Sequence, residues 1–372
     1  MKICIVGFGN IGSALAGMLS LGGHDVRVFT SVHLGQDHPF TLNEMGSTKE
    51  MSTSINLVTN DLEVAVKDVD MIIVTYPSFM LESFVKNVSV FLTKPILFGV
   101  VPGSGGAEYI TKQVFTQKHV IFGLDRVPYI ARLIEKNHSV EFSKKESVNV
   151  AVIPKKETVT VAKTLEDLLQ LPVYPLKNYL EVSLTPSNAI LHTSRIYSMF
   201  KEYHSNITYS KVPYFYRDWT LDSSDSLIAL DKELRTIILA MPELELSTIK
   251  TIREHYEAPT VETMTNKIKS ISAFKNILSP MKKVSDQTFV PDFTSRYFTE
   301  DLPFGLLIIK GFGLITGTAT PEADKIILWS QKWLNKEYLT EQGAPGPDFL
   351  ASGVPQAYGI NTLEETYHFY KS

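Results

Sequence analysis

The chain has 372 residues, of which 44% are hydrophobic and 20% are charged, and its formal net charge is −4. This length favours two domains, and the composition is that of a globular protein with a core to bury. The mildly acidic balance argues against a nucleic-acid partner, because such proteins present clustered positive charge. The single cysteine, Cys4, excludes an intrachain disulfide and favours a reducing compartment. Without a membrane-length apolar run or a secretory leader, we expect a cytoplasmic protein.

The first thirty residues predict a βαβ unit. Lys2–Val6 is an apolar, β-rich run, Ser13–Leu21 has apolar residues at helical spacing, and Val26–Phe29 predicts a second strand. A unit of this kind implies two parallel strands joined by a right-handed crossover.

The same alternation continues to about residue 124. Further strands are predicted at Ile55–Val58, Asp70–Thr75, Ile96–Val101 and Val120–Leu124, with a short helix at Leu62–Val69. Strands that alternate with helices indicate an open, doubly wound, mostly parallel α/β sheet.

A glycine-rich turn follows the first strand. The run V-G-F-G-N-I-G puts Gly7, Gly9 and Gly12 in the spacing G-x-G-x-x-G, with Asn10 and Ile11 between them. The first glycine permits a tight turn, the second lets a pyrophosphate approach the backbone, and the third lets helix and strand pack closely. The phosphate then lies at a helix N-terminus, which favours negative charge. A tight turn without a ligand is the alternative, but the flanking strand and helix favour an NAD(P) site.

The choice between NAD and NADP stays open in the sequence. An acid at the end of the second strand would favour NAD, but Thr30 and Ser31 stand there, and either can bond a hydroxyl or a phosphate. Arg27 is inside the strand. Tyr76 and Pro77 follow another predicted strand, at the sheet edge where α/β proteins bind ligands, and we expect them to contact the cofactor.

The pattern changes beyond residue 124. The segments Ser139–Ser143 and Ser147–Ile153 predict a hairpin that turns at Lys144-Lys145-Glu146, followed by a helix at Val159–Leu171 and a short edge strand at Val173–Leu176. Helical spacing then dominates, at Asn188–Phe200, Ser226–Met241, Leu246–Tyr256 and Thr320–Leu334. We therefore predict an NAD(P)-binding Rossmann domain over residues 1–182 and an all-α substrate and catalytic domain over residues 183–372.

Polar residues interrupt the first predicted helix of the second domain. Asn188 and His192 lie one turn apart on the same face, where an apolar strip would be expected. A histidine is suited to proton transfer near neutral pH. The alternative is a buried histidine whose hydrogen bonds go to the backbone, and the spacing alone slightly favours that alternative.

The segment Arg296–Leu306, R-Y-F-T-E-D-L-P-F-G-L, is dense in functional side chains. Asp301 can orient the imidazole of His192 and stabilise its protonated form. Arg296 can clamp a carboxylate with paired hydrogen bonds. Helix capping and a surface ion pair explain the same two residues equally well from spacing alone.

Four segments, in order along the chain, resemble the opine dehydrogenases, the octopine/nopaline dehydrogenase group. They are G-F-G-N-I-G, the segment from Asp125 to Arg132, the N-x-x-x-H-T of Asn188–Thr193, and the segment Arg296–Leu306. The resemblance implies a Rossmann domain joined to a helical domain, and an enzyme that condenses an amino acid's amine with a 2-oxo acid such as pyruvate before a nicotinamide hydride reduces the imine. It also implies that His192 and Asp301 form a catalytic pair.

The resemblance assigns a further role to Arg296 and shows one departure. Arg296 is expected to contact the carboxylate of the oxo acid, and Asn188 to help position substrate. Many relatives have a cysteine just before the arginine that corresponds to Arg132, whereas Ile130 and Ala131 stand here. The departure puts the substrate in doubt more than the chemistry.

Two other functions fit parts of the pattern. A ketopantoate reductase-like enzyme needs no amine, but that group usually relies on a lysine where His192 stands. A non-catalytic sensor of the NAD(P) redox state has no use for His192, Arg296 and Asp301 together. The histidines form no metal-binding pattern, with His33 and His38 in a polar loop, so we expect no metal. The expected partners are an amino acid and a 2-oxo acid, without nucleic acid or membrane, and the sequence leaves a homodimer open.

Overall fold

The fold is described from a computed structural model, for residues 1–115, 119–186 and 188–371. The chain divides into two compact units, Met1–Ser183 with the residues from Tyr370 onward, and Leu184–Phe369. Within the described ranges, no helix is both long and apolar enough to cross a membrane.

The first unit is built on an eleven-stranded sheet. Its strands are β1 (Lys2–Val6), β2 (Asp25–Phe29), β3 (Gly35–Glu44), β4 (Glu50–Thr59), β5 (Met71–Val74), β6 (Leu97–Val100), β7 (Val120–Leu124), β8 (Tyr129–Glu135), β9 (Ser139–Lys144), β10 (Val148–Ile153) and β11 (Val173–Pro175). Its helices are α1 (Asn10–Leu21), α2 (Leu62–Val66), α3 (Ser78–Ser89), α4 (Ala107–Val114), α5 (Thr158–Leu169) and α6 (Leu180–Ser183).

The order of the strands is β11-β10-β7-β6-β5-β1-β2-β4-β3-β9-β8. The six strands from β7 to β4 in this order are parallel to one another. Their carboxyl ends therefore lie at one edge of the sheet. The chain adds β2 and β4 on one side of β1 and then β5, β6 and β7 on the other side, so the strand order reverses between β1 and β5. This confirms the predicted doubly wound, mostly parallel sheet, and its apolar strands are buried because helices cover such sheets on both faces.

The predicted hairpin between residues 139 and 153 is wrong, although both of its strands exist. β9 pairs with β8 and β3, whereas β10 pairs antiparallel with β7 and parallel with β11. The run V-N-V-A-V-I of β10 is mostly buried, which suits a place beside β7 rather than an exposed hairpin. β9 instead turns back on β8 through Asn137, whose φ of +67° is in the left-handed region that asparagine tolerates.

The predicted polar loop that contains His33 and His38 is also partly wrong. His38 is buried within strand β3, and its Nε2 lies 2.7 Å from the carbonyl oxygen of Asn137. β3 combines polar and apolar residues because its outward-facing side chains are exposed while Phe40 and Leu42 are buried. His33 lies before the strand, with Nδ1 3.1 Å from the hydroxyl of Thr59.

The described part of the second unit is helical apart from one small antiparallel sheet. Its helices are α7 (Asn188–Phe200), α8 (Leu221–Leu239), α9 (Ile252–Tyr256), α10 (Val261–Ser270), α11 (Arg296–Thr299), α12 (Leu307–Thr316), α13 (Pro321–Leu334) and α14 (Leu363–Lys371), and its strands are β12 (Met281–Ser285) and β13 (Thr288–Pro291). Helix α9 starts later than the predicted segment Leu246–Tyr256, because Thr251 and Glu254 form a capping box that fixes its first turn. The core includes large fully buried rings such as Phe200, Trp219 and Phe312.

The end of the chain departs from the predicted domain of residues 183–372, because Tyr370 packs in the first unit. Its hydroxyl lies 2.7 Å from that of Tyr109 and 2.9 Å from Oε1 of Glu108. Glu108, in the first turn of α4, is fully buried and also accepts a hydrogen bond from Ser183. No described residue bonds its Oε2. Burial raises the pKa of Glu108 to about 7, against hydrogen bonds that lower it.

Replacing Glu108 by glutamine is expected to change how stability depends on pH. A carboxyl whose pKa rises on folding stabilises the protein fully below its unfolded value of 4.5, and that stability is lost as the pH rises through about 7. Above pH 8 the ionised group therefore costs roughly 3 kcal/mol, which E108Q avoids. Urea unfolding at pH 5 and pH 8 checks this. The gain of E108Q over wild type should be larger at pH 8, and the exposed control E82Q should show no such difference; equal gains at both pH values would contradict the assignment.

Candidate active site

Helix α7 carries an unusual run of buried polar residues. His192 is only 9% exposed, and Thr193, Ser194 and Arg195 beside it are buried as well. Buried polar side chains are costly unless their hydrogen bonds are satisfied, so each of them must find a partner inside the unit. The partners of His192 define the candidate site.

The imidazole of His192 is hydrogen-bonded at both ring nitrogens. Nδ1 lies 2.7 Å from Oδ2 of Asp301, and Nε2 lies 2.7 Å from the hydroxyl oxygen of Tyr216. A carboxylate can only accept, so Nδ1 carries a proton. When the ring is neutral, Nε2 accepts from Tyr216; when the ring is protonated, Nε2 donates to the same oxygen. The structure thus joins His192 and Asp301, and adds a tyrosine that the sequence analysis missed.

Asp301 is positioned by a π-helical turn. Leu302–Leu306 forms that turn, and the amide of Leu306 donates to the carbonyl of Asp301 at 2.9 Å. A Cβ at Gly305 would lie 2.8 Å from the Cβ of Ala189, so only glycine lets this turn approach α7 so closely. Single π-turns are rare in proteins, and many of those that occur are at functional sites. The P-F-G of this segment therefore serves to bring Asp301 against His192.

Tyr216 is positioned by the buried guanidinium of Arg195, one turn after His192 on α7. Nε of Arg195 donates to the carbonyl of Phe215 at 2.9 Å, and Nη2 donates to the carbonyl of Asp218 at 2.7 Å. Burial lowers the pKa of Arg195 to about 10. The segment that carries Tyr216 has no regular secondary structure, so periodicity could not reveal it. A lone arginine on a buried helix face is the signal that could have done so.

Aromatic rings enclose the imidazole. Tyr297 and Phe215 lie with their ring centroids 4.6 Å and 5.6 Å from that of His192, both edge to face. Phe274 stacks on Tyr216 at 4.3 Å. Burial raises the pKa of Tyr297 to about 12 and that of Tyr216 further, so both hydroxyls stay protonated near neutral pH.

Two of the predicted site residues are not hydrogen-bonded to this group. The side chain of Arg296 is 68% exposed, and its Nε and Nη2 both contact Oε2 of Glu300, one turn later. Asn188 is exposed at the start of α7. The surface ion pair that the sequence offered as an alternative for Arg296 is therefore present, whereas Asp301 lies at the imidazole.

The glycine turn of the first unit fits a dinucleotide. Gly7 has a φ of +98°, and a Cβ at Gly12 would lie 2.0 Å from the carbonyl oxygen of Gly7. A Cβ at Gly9 would meet no atom within 4 Å, so its backbone faces open space. The N-cap residue of α1 is Gly9, which has no side chain to accept from the first backbone N–H groups of the helix. The first turn contains no acidic residue. The free N–H groups there suit a phosphate.

The other predicted cofactor residues surround this turn in different ways. Tyr76 follows β5 and lies beside Gly7, whose Cβ would come within 3.2 Å of its ring, and Pro77 caps α3. Asn10 turns its side chain away, since Oδ1 accepts from the amide of Leu133 at 3.0 Å. Ile11 packs against the core.

The end of β2 leaves the choice between NAD and NADP open. Thr30 and Ser31 follow the strand, and the amide of Thr30 bonds the carbonyl of Thr59 at 2.9 Å. Arg27 points elsewhere, because its guanidinium donates to the carbonyls of Val64 and Lys67.

Known proteins match both parts of the chain. The family described as "NAD/NADP octopine/nopaline dehydrogenase, alpha-helical domain" matches residues 175–334, and "NAD-dependent glycerol-3-phosphate dehydrogenase N-terminus" matches residues 2–117. Octopine dehydrogenase of Pecten maximus is 28% identical over an alignment 397 positions long, gaps included, which covers 98% of each chain.

Two solved structures of octopine dehydrogenase have the same fold. One, described with NADH and L-arginine, has a TM-score of 0.85 at 26% identity, and one, described with NADH and pyruvate, has a TM-score of 0.84 at 25% identity. Each comparison covers 98% of this chain and 97% of the other. With a glycine turn that fits a dinucleotide and relatives that match from end to end, this chain is similar to the opine dehydrogenases along its whole length and is an NAD(P)-dependent dehydrogenase of CH–NH bonds.

Proposed function

We propose that this chain condenses the amine of an amino acid with a 2-oxo acid such as pyruvate and reduces the resulting imine with NADH or NADPH. The observation that carries the proposal is the hydrogen-bonded chain Asp301–His192–Tyr216. Relatives that span the whole chain carry the name octopine dehydrogenase, and their structures are described with pyruvate and L-arginine. When bound, the nicotinamide supplies the hydride, and the protein supplies binding, orientation and protons.

His192 acts as the general acid in this proposal. Its Nδ1 is committed to Asp301, so Nε2 is the atom that can give a proton to the carbonyl oxygen and later to the imine. Asp301 accepts the hydrogen bond from Nδ1 and so fixes the ring orientation. Tyr216 occupies Nε2 until the substrate arrives, and its hydroxyl can accept from the charged ring or donate to the neutral ring.

Arg296 binds the carboxylate of the oxo acid in this proposal. In the structure its guanidinium already holds a carboxylate, that of Glu300. The Arg296 side chain is exposed, whereas the Glu300 side chain is only 15% exposed, so an incoming carboxylate reaches the guanidinium from the solvent side and has to displace Glu300. Asn188 lies on the first turn of α7, on the same face as His192, and in this proposal it orients the substrate.

Replacing His192 by alanine is expected to lower kcat/KM by about a hundredfold or more, the usual effect of losing a general acid. The measurement is NADH or NADPH oxidation with pyruvate and a panel of amino acids. D301N should lower it strongly as well, because the ring loses its orienting acceptor. The exposed His204→Ala variant is the matched control. Equal rates for H192A and wild type would exclude the histidine's role, and cofactor binding without turnover on any pair would indicate a redox sensor instead.

Replacing Arg296 by methionine is expected to raise KM for pyruvate by about tenfold, with a smaller change in kcat, because a charge-assisted contact to the carboxylate is lost. Steady-state kinetics at saturating amino acid check this. Arg253→Met, which removes an exposed arginine on α9, should leave this KM unchanged. An unchanged KM in R296M would show that Arg296 only pairs with Glu300.

A further inference from the structure

Arg195 is a buried charged residue of the second unit to which the proposed chemistry gives no part. It is 3% exposed and lies three residues after His192, a spacing that puts two side chains on one side of a helix. Its guanidinium donates to three oxygens, the carbonyl of Phe215 from Nε at 2.9 Å, the hydroxyl of Ser223 from Nη1 at 3.1 Å and the carbonyl of Asp218 from Nη2 at 2.7 Å. Arg195 therefore links helix α7 to the segment that precedes α8.

The charge of Arg195 has no carboxylate at ion-pair distance within the ranges that the structure describes. Its hydrogen-bond partners are neutral oxygens, and the ring of Trp219 lies 5.6 Å from its guanidinium carbon. The acid of this segment, Asp218, instead uses Oδ2 to accept from the amide of Tyr214 at 2.9 Å. Burial lowers the pKa of Arg195 to about 10, although Asp218 raises it. The positive charge is therefore buried among neutral groups.

A charge in such a place needs a reason other than stability. Burying a charge without an ion pair is costly, and apolar side chains of similar volume often replace buried charged groups without loss of stability. A guanidinium differs from those side chains in its planar fork, whose donors have fixed directions and can hold several acceptors at once. The reason for Arg195 is therefore the geometry of the segment that it holds.

The segment that Arg195 holds is a turn outside the described helices and strands. On another side of this turn, the amide of Phe215 donates to the carbonyl of Ile277 at 2.8 Å. Tyr216 is the next residue of the turn. Among the residues that the structure describes, its hydroxyl has one hydrogen-bond partner, Nε2 of His192 at 2.7 Å. A change in the turn therefore changes the hydrogen bond at the atom that is proposed to give the proton.

We propose that Arg195 is a positioning residue of the reaction, which acts through Tyr216 to hold the imidazole of His192 in the orientation that proton transfer needs. The inference rests on the proposed function, because it concerns the same acid. The bond from Nδ1 to Asp301 fixes one point of the ring, about which the ring can still rotate. The bond at Nε2 fixes a second point. A substrate that replaces Tyr216 at Nε2 then meets a ring that is already oriented, which avoids the entropic cost of orienting it during the reaction.

The first test observes the hydrogen bond at Nε2 without turnover. The ¹⁵N NMR signal of Nε2 is recorded in the protein without substrate, at a pH where the ring is neutral, and is assigned by its absence in H192A. Y216F, which lacks the hydroxyl, gives the signal of a ring without this bond. R195K keeps the charge but cannot span three acceptors, so its signal should move at least about half of the way from wild type to Y216F. An unchanged signal in R195K would overturn the inference, whether or not the enzyme turns over.

R235K is the matched control for R195K. Arg235 on α8 also donates to two backbone carbonyls of an irregular segment, those of Ile249 at 2.7 Å and Lys250 at 2.6 Å. R235K should leave the Nε2 signal as in wild type.

S223A provides a milder change at the same place. It removes one of the three acceptors of Arg195 and leaves the arginine itself intact. Its Nε2 signal should move in the same direction as that of R195K, by a smaller amount. This variant keeps the inference testable in case R195K does not fold, and a signal identical to wild type in a folded S223A together with an unfolded R195K would then count against it.

The second test separates positioning from a merely structural role. With pyruvate and the amino acid that turns over fastest, R195K should lower kcat at least about tenfold while both KM values stay within about threefold of wild type, because orientation acts on proton transfer and not on binding. R235K should change neither quantity. A kcat equal to that of wild type in R195K would contradict the inference.

The double variant R195K/Y216F shows whether Arg195 acts through Tyr216. If it does, kcat of the double variant should lie within about twofold of Y216F alone, whereas independent effects would multiply and overturn the inference. Absence of turnover on every substrate pair would refute the proposed function, and the Nε2 signal would still decide whether Arg195 orients the imidazole. A circular dichroism spectrum and a Tm within a few degrees of wild type would show that the variants are folded.

Discussion

The close contact between helix α7 and the π-helical turn governs the second unit. Gly305 lies against Ala189 with no room for a Cβ, and this contact sets the distance between the two elements that carry His192 and Asp301. The 2.7 Å hydrogen bond between those side chains depends on it. Arg195 adds the second constraint from the same helix, because its hydrogen bonds hold the irregular segment that supplies Tyr216. One helix thus organises both partners of the imidazole.

The sequence predicted the parts of the fold that depend on local periodicity. The alternation of apolar strands and helices was enough to predict the doubly wound sheet. The glycine spacing was enough to predict the turn after β1. Strand pairing was less predictable: β9 and β10 were found, but their partners lie far away in sequence, and the pairing of β10 with β7 follows from burial in the assembled sheet. His38 was assigned to a loop because strand β3, with one exposed face, has a polar composition.

The candidate site shows the same limit. Spacing alone left His192 ambiguous, and the pairing of His192 with Asp301 was implied by a family resemblance between segments more than a hundred residues apart. No motif indicated Tyr216, because its position depends on the hydrogen bonds of the buried Arg195. Asn10 lies in the glycine motif, yet its side chain bonds the amide of Leu133, a contact that only the folded sheet creates. The motifs predicted which segments form the site, whereas the partners of each side chain depend on tertiary contacts.

The pairing of Arg296 with Glu300 has a consequence for how this protein responds to its surroundings. In this structure the guanidinium is paired with an internal carboxylate, that of Glu300. If Arg296 has its proposed role, Glu300 is a built-in competitor that every substrate carboxylate has to displace. Salt screens the internal pair as well as the pair with substrate, so the two effects oppose each other. Affinity for an acid at Arg296 should then vary less with ionic strength than it would at an unpaired arginine.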